Sequence, residues 1–125
     1  MNDLFIEGSA STPTVSANRK TGVLLMEGDS YPENALTLFS QVMTWVRDYF
    51  QDTQQPLHLE LRLLYLNTSS IKGMMDLCDL LEEAHRQGRN VRITWYYARQ
   101  NERVAELADE FREDCTFPFE LLSDV

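Results

Sequence analysis

Cysteine is nearly missing from this chain of 125 residues: Cys78 and Cys115 are the only two, too few for a disulfide framework. Basic residues are also scarce, with 11 Lys and Arg against 20 Asp and Glu, for a formal charge of -9 and a pI near 4.6. Such a balance repels nucleic acid phosphates and anionic lipid, so a protein partner fits better. No window approaches the ~20 continuous apolar residues of a membrane span. The start, MNDLFIEGSA, lacks the basic segment and apolar run of a secretory signal. These absences lead us to expect a soluble, cytoplasmic protein with reduced thiols. There is no phosphate-binding glycine loop, internal repeat or low-complexity tract.

What is present suits one domain over residues 1–125: 43% of the residues are hydrophobic, enough for a sizeable core. Residues 1–21 are polar, with short apolar pieces at Leu4–Ile6 and Thr14–Val15 that read as weak edge strands or an ordered arm. Val23–Met26 is a short strand between Gly22 and Glu27-Gly28, and the preceding TPTVSANRKTG could supply its hairpin partner and turn. Ser30-Tyr31-Pro32-Glu33 has the form of a capping box. A helix follows, with Ala35, Leu36, Phe39, Val42, Met43, Val46, Tyr49 and Phe50 on its inner face.

From Leu57 the period changes to two. Leu57, Leu59, Leu61, Leu63 and Tyr65 face one way, His58, Glu60 and Arg62 the other, and Leu64 with Leu66 suggests an end covered on both sides. A helix from about Ser70 to Gln87 would place Ile71, Met74, Met75, Cys78, Leu81 and Ala84 inward, ending at His85, Arg86 and Gly88. Val91, Ile93 and Trp95 mark another strand, and strand, helix and strand in this order imply a right-handed parallel crossover. Residues 101–111 suit a third helix, and Thr116–Leu122 a last short strand or extended arm. The fold class is α/β, a mixed sheet with helices mainly on one face.

The joint between the long strand and the second helix, YLNTSSIKGMMD, is the place for chemistry, because α/β folds collect ligands and modifications where a strand feeds a helix N-terminus. It holds three hydroxyls, Thr68, Ser69 and Ser70. The positions three residues beyond them are Ile71, Lys72 and Gly73, so there is no capping box, and a cation stands where the helix dipole prefers an acid. A phosphate on one hydroxyl would supply about -1.5 to -2 charges beside open amides and near Lys72. Gly73 would leave the approach uncrowded. The plainer alternative is that the hydroxyls are caps and Lys72 points into water.

Ser30-Tyr31-Pro32-Glu33-Asn34, Tyr65-Leu66-Asn67-Thr68-Ser69-Ser70-Ile71-Lys72, Met74-Met75-Asp76-Leu77 and Trp95-Tyr96-Tyr97 together closely resemble the SiaC family of bacterial regulatory phosphoproteins. The similarity runs over nearly the whole chain, including the IEGSASTP and PFEL segments. The resemblance implies a STAS-like domain and a partner switch. A kinase phosphorylates the threonine of LNTSS, here Thr68, and a PP2C-type phosphatase removes the phosphate. The unphosphorylated form binds and stimulates a diguanylate cyclase, raising cyclic di-GMP and influencing aggregation and biofilm formation. Asn67, Thr68, Ser69, Ser70 and Lys72 are then the expected partner-binding residues.

Other residues have the chemistry for a site but not the setting. Asp76, Asp79, Glu82 and Glu83 lie along one helix without His or carbonyl companions, which suits a solvated face or a contact for a basic partner better than a metal site. His58, on a strand's polar face, and His85, at a helix end, read as structural. Cys78 reads as core, whereas Cys115 is undetermined. Trp95-Tyr96-Tyr97 suggests core and interface aromatics, not base stacking. The sequon Asn67-Thr68-Ser69 carries no weight without export. A small hydrolase or transferase using a hydroxyl nucleophile at Thr68–Ser70 is the alternative, but it lacks a convincing base. Neither a cofactor nor a metal is expected.

Overall fold

The computed structural model describes residues 2–123; Met1 and the last two residues, which the single-domain reading also covers, lie outside the described residues. Six strands form one sheet in chain order: β1 (Leu4–Ile6), β2 (Thr14–Asn18), β3 (Val23–Ser30), β4 (Leu57–Leu66), β5 (Val91–Tyr97) and β6 (Phe119–Ser123). The first three pair antiparallel, and β3 through β6 pair parallel. Helices α1 (Ala35–Asp52), α2 (Thr68–Arg86) and α3 (Glu102–Glu113) make the three parallel crossovers. Each crossover advances one strand in the same direction, so right-handedness puts all three helices over the same face. This is the mixed sheet that the patterns predict.

The core lies between that face and the helices. Leu24 and Met26 of β3 pair with Leu59 and Leu61 of β4, and Ile93 and Trp95 continue the apolar rows on β5. They meet Phe39, Val42 and Val46 of α1, Leu77 and Leu81 of α2, and Val104, Ala108 and Phe111 of α3. Burying one such side chain is worth about 1.5–3 kcal/mol. Trp95 stacks on Phe111, and Trp45 on Tyr49. On the other face His58, Glu60 and Arg62 stay partly exposed, with Arg62 over the Tyr96 ring at 4.1 Å.

The N-terminal segment forms two ordered strands, β1 at the edge of the sheet and β2 paired on both sides. The hairpin between β2 and β3 turns through residues 19–22, where Gly22 takes a φ of 72°. The C-terminal segment is a strand, parallel to β5, rather than a loose arm.

The structure corrects four local expectations. The first strand of the parallel set does not stop at Met26, because Asp29 and Ser30 resume pairing with Tyr65 and Leu66 after a register shift at Gly28/Asp29. That shift throws Tyr65 out of the phase set by Leu57–Leu63. Leu64 and Tyr65 are 51% and 47% exposed, so this end is not covered on both sides; Leu66 alone turns inward. The Ser30–Glu33 capping box does not form, since Ser30 belongs to β3 and α1 is capped by Asn34, whose side chain accepts from the Thr37 amide at 3.1 Å. Leu36 and Met75, placed on inner stripes by spacing, face outward, while Leu38 and Trp45 complete the buried face of α1.

Gly73 also has a different role from the one expected. A Cβ there would stand 2.4 Å from the Phe39 ring. Its missing side chain therefore lets α1 and α2 approach, so it serves packing and not access.

Candidate functional site

The joint between β4 and α2 sits at the C-terminal edge of the parallel strands, the edge where such sheets hold their sites. Asn67 is the N-cap of α2, and its Oδ1 accepts from the Ser70 amide at 2.9 Å. Its backbone N–H donates to Ser30 O at 3.0 Å, tying the joint to the end of β3. The helix thus begins two residues earlier than its apolar periodicity suggests, and the hydroxyls are not its caps.

The three hydroxyls have different fates. Ser70 is fully buried, its Oγ 2.7 Å from the Oγ of Ser30, also fully buried. A group so enclosed holds the joint together and cannot offer its side chain to a partner, which corrects its place among the contact residues. Thr68 and Ser69 occupy the first two helical positions and are exposed. Neither hydroxyl bonds to another side chain among the described residues. The first turn contains no acidic residue, so the positive end of the helix dipole is left without a carboxylate.

Lys72 is exposed, but it is not idle: its Nζ donates to Asp76 Oδ1 at 2.6 Å. It stands four residues from Thr68 on one side and from Asp76 on the other, the spacing at which helical side chains meet. An anion at position 68 would compete with Asp76 for the same ammonium. Thr68, Ser69, Lys72, Gly73 and Asp76 line a cleft of about 540 Å³ whose far wall is the start of α1, with Glu33, Leu36 and Phe39. Leu36 is 72% exposed there.

Two aromatic residues, neither expected among the contact residues, lie exposed beside the joint. Tyr31 and Tyr65 lie edge to face with centroids 5.9 Å apart, both partly exposed. The register shift between β3 and β4 brings Tyr65 out, and period-two patterning cannot reveal such a shift. On the α3 side of the joint, Leu64, Tyr65, Ile71 and Leu107, with Arg103 and Glu110, line a second cleft of about 330 Å³.

The other candidates lie elsewhere. His58 is near the beginning of β4, so about eight strand residues at 3.3 Å each put it roughly 26 Å from the joint. His85 is at the far end of α2, about 25 Å away along the helix. His58 Nε2 is 2.9 Å from Thr94 Oγ1, and Arg92 donates to its Nδ1 at 3.3 Å. Burial first, and then Arg92, lower its pKa. His85 rests edge-on against Phe117. Neither histidine can serve Thr68 as a base.

Three of the four acidic residues of α2 are engaged, while Asp79 is exposed. Asp76 holds Lys72, and Glu83 accepts from Gln87. Glu82 is buried and not solvated: it accepts from Thr116 N at 2.8 Å and from Thr116 Oγ1 at 2.6 Å, with Arg86 at 3.3 Å. The Thr116 hydrogen bonds hold its carboxyl below the usual range. Trp95 is core, Tyr96 lies under Arg62, and Tyr97 is partly buried.

Exposed hydroxyls at a helix start capped by Asn67, with both histidines about 25 Å away, suit a regulatory α/β domain. Comparison with known proteins agrees. Residues 6–124 match the family described as SiaC family regulatory phosphoprotein. A protein of Pseudomonas aeruginosa strain UCBPP-PA14, described as uncharacterized, is 62% identical over 119 residues, 95% of this chain and 94% of its own length. The crystal structure of apo-SiaC from P. aeruginosa superposes with a TM-score of 0.93 at 59% identity, covering 98% of this chain and 99% of that one. SiaC is also seen in a crystal structure of the diguanylate cyclase SiaD in complex with its activator SiaC, with a TM-score of 0.93, 60% identity, and 97% and 99% coverage. The chain belongs to the SiaC family.

Proposed function

We propose that this protein is a phosphorylation-controlled activator of a diguanylate cyclase, acting by binding and not by catalysis. In its unphosphorylated form it docks on the cyclase through the surface around Asn67, Thr68, Ser69 and Lys72, held in shape by the buried Ser70, and raises cyclic di-GMP. A kinase phosphorylates Thr68 to end that state, and a PP2C-type phosphatase restores it. Biofilm formation and aggregation follow the cyclase. The reading places this protein in the cytoplasm.

The observation that carries the proposal is the position of Thr68: first in the helix, exposed, and released from capping by Asn67. The family and the complex of a close relative with a cyclase supply the context. A phosphate on Thr68 brings about -1.5 to -2 charges into a cleft that already holds Glu33 and Asp76, adds desolvation cost, and competes with Asp76 for Lys72. Exposed Tyr31, Leu36 and Tyr65 provide apolar contact area around the switch, as interface centres commonly do.

The test is tandem mass spectrometry after incubation with ATP and the kinase. We expect one phosphate, on Thr68. A phosphate on Ser69 with Thr68 unmodified would overturn the residue assignment, and buried Ser70 should remain unmodified in the folded chain.

A further inference from the structure

Beyond the switch at the start of α2, the two cysteines meet near its far end. Cys78 is buried on α2, and Cys115 is half-buried just after α3. Cys115 packs against the buried cluster that contains Cys78, and the two thiols are near enough to perturb each other's titration. This contact is held by a second one a turn away: Glu82, four residues after Cys78, accepts both the amide and the hydroxyl of Thr116, the residue after Cys115. Two residues of α2 are thus matched to two consecutive residues of the α3–β6 connection. When protonated, the Cys115 thiol donates to Phe111 O at 3.4 Å.

We propose that Cys78 and Cys115 form an oxidation site, a dithiol that a peroxide-class oxidant converts to an intrachain disulfide. The environment divides the roles. The neighbouring Cys78 thiol lowers the Cys115 pKa, whereas Cys115 and burial raise that of Cys78. Cys115 is also the more accessible sulfur, and the thiolate is the nucleophile in such chemistry.

In the first step the Cys115 thiolate attacks one oxygen of hydrogen peroxide. An S–O bond forms, the O–O bond breaks, and hydroxide leaves; the sulfur loses two electrons to the peroxide and becomes a sulfenic acid. In the second step the Cys78 sulfur attacks the Cys115 sulfur. The S–S bond forms, the S–O bond breaks, and the departing hydroxide takes up the Cys78 proton as water. The sum is a dithiol plus one peroxide giving a disulfide plus two waters. The product fastens α2, whose first residue is Thr68, to the α3–β6 connection.

The test uses the reduced full chain, brief treatment with hydrogen peroxide, alkylation with N-ethylmaleimide and intact-mass analysis. The expected wild-type result is loss of two hydrogens with no alkylation, and a tryptic species joining residues 73–86 to residues 113–125. Cys78→Ser should stop at a Cys115 sulfenic acid that dimedone traps, and Cys115→Ser should leave Cys78 unoxidised over the same time. Wild-type chain with both thiols still alkylated, or cross-linked only between chains, would overturn the proposal. So would Cys115→Ser oxidised as fast as wild type. The wild-type outcome decides the matter even if a variant folds poorly.

Discussion

All three helices start at the same edge of the sheet and with the same device, yet among them α2 alone follows its cap directly with two exposed hydroxyls. Asn34, Asn67 and Asn101 each accept from the amide three residues on. After that cap α1 continues with buried Ala35 and exposed Leu36, and α3 with Glu102, an acid in the first turn. The second helix continues with exposed Thr68 and Ser69 and no acid. Since asparagine does the capping in every case, the hydroxyls of α2 cannot be explained by capping. The start of α2 is also the one of the three pinned by a buried Ser–Ser hydrogen bond, so its frame is firm while its first two side chains are free.

This comparison can be broken by substitution. The largest effect should come from Ser70→Ala, which leaves the buried Ser30 hydroxyl without its partner; an unsatisfied buried hydroxyl costs about 1–3 kcal/mol. Urea unfolding would measure it, and Ser30→Ala with Ser70→Ala should cost less than the two single changes summed. Additive losses would mean that the pair is not a unit. Next, Asn34→Ala, Asn67→Ala and Asn101→Ala should each cost about 1 kcal/mol, as loss of an N-cap does. If Asn67→Ala were neutral while Thr68→Ala was costly, the hydroxyl would be the cap after all.

A smaller effect depends on pH and concerns the other end of α2. The Glu82 carboxyl is held below its ordinary value of 4.5 by Thr116. Its contribution is therefore fully present above that value and is lost as pH falls through the lower folded value. Melting temperature followed below pH 5 should decline more steeply in wild type than in Glu82→Gln; parallel curves would contradict the assignment. The smallest effect belongs to Thr68→Ala, which should change stability by less than about 0.5 kcal/mol, in the range of exposed substitutions.

Much of the architecture was legible because periodicity is set by burial. The alternation Leu57, Leu59, Leu61, Leu63 and the stripes on the three helices identify which faces meet the core, and the order of elements determines handedness and layering. What failed was local. A register shift moved Tyr65 across the strand and extended β3 to Ser30, and no pattern in a single strand records how its neighbour is paired. Ser30 and Ser70, forty residues apart, took each other as partners instead of capping helices. The asparagine caps could have been anticipated, since Asn is among the preferred caps and precedes each helix directly. The joint was recognisable as a site from its place and missing acid. Which hydroxyl is exposed, and which is structural, required the fold.

The central claim is that charge on Thr68 decides partner binding while the fold stays the same. Calorimetric titration of the diguanylate cyclase from the same organism, with the unmodified chain and with the chain phosphorylated on Thr68, tests it most directly. The account predicts binding by the unmodified chain and a loss of at least about tenfold, or about 1.4 kcal/mol, on phosphorylation, with unchanged circular dichroism. Equal affinity of the two forms would contradict it.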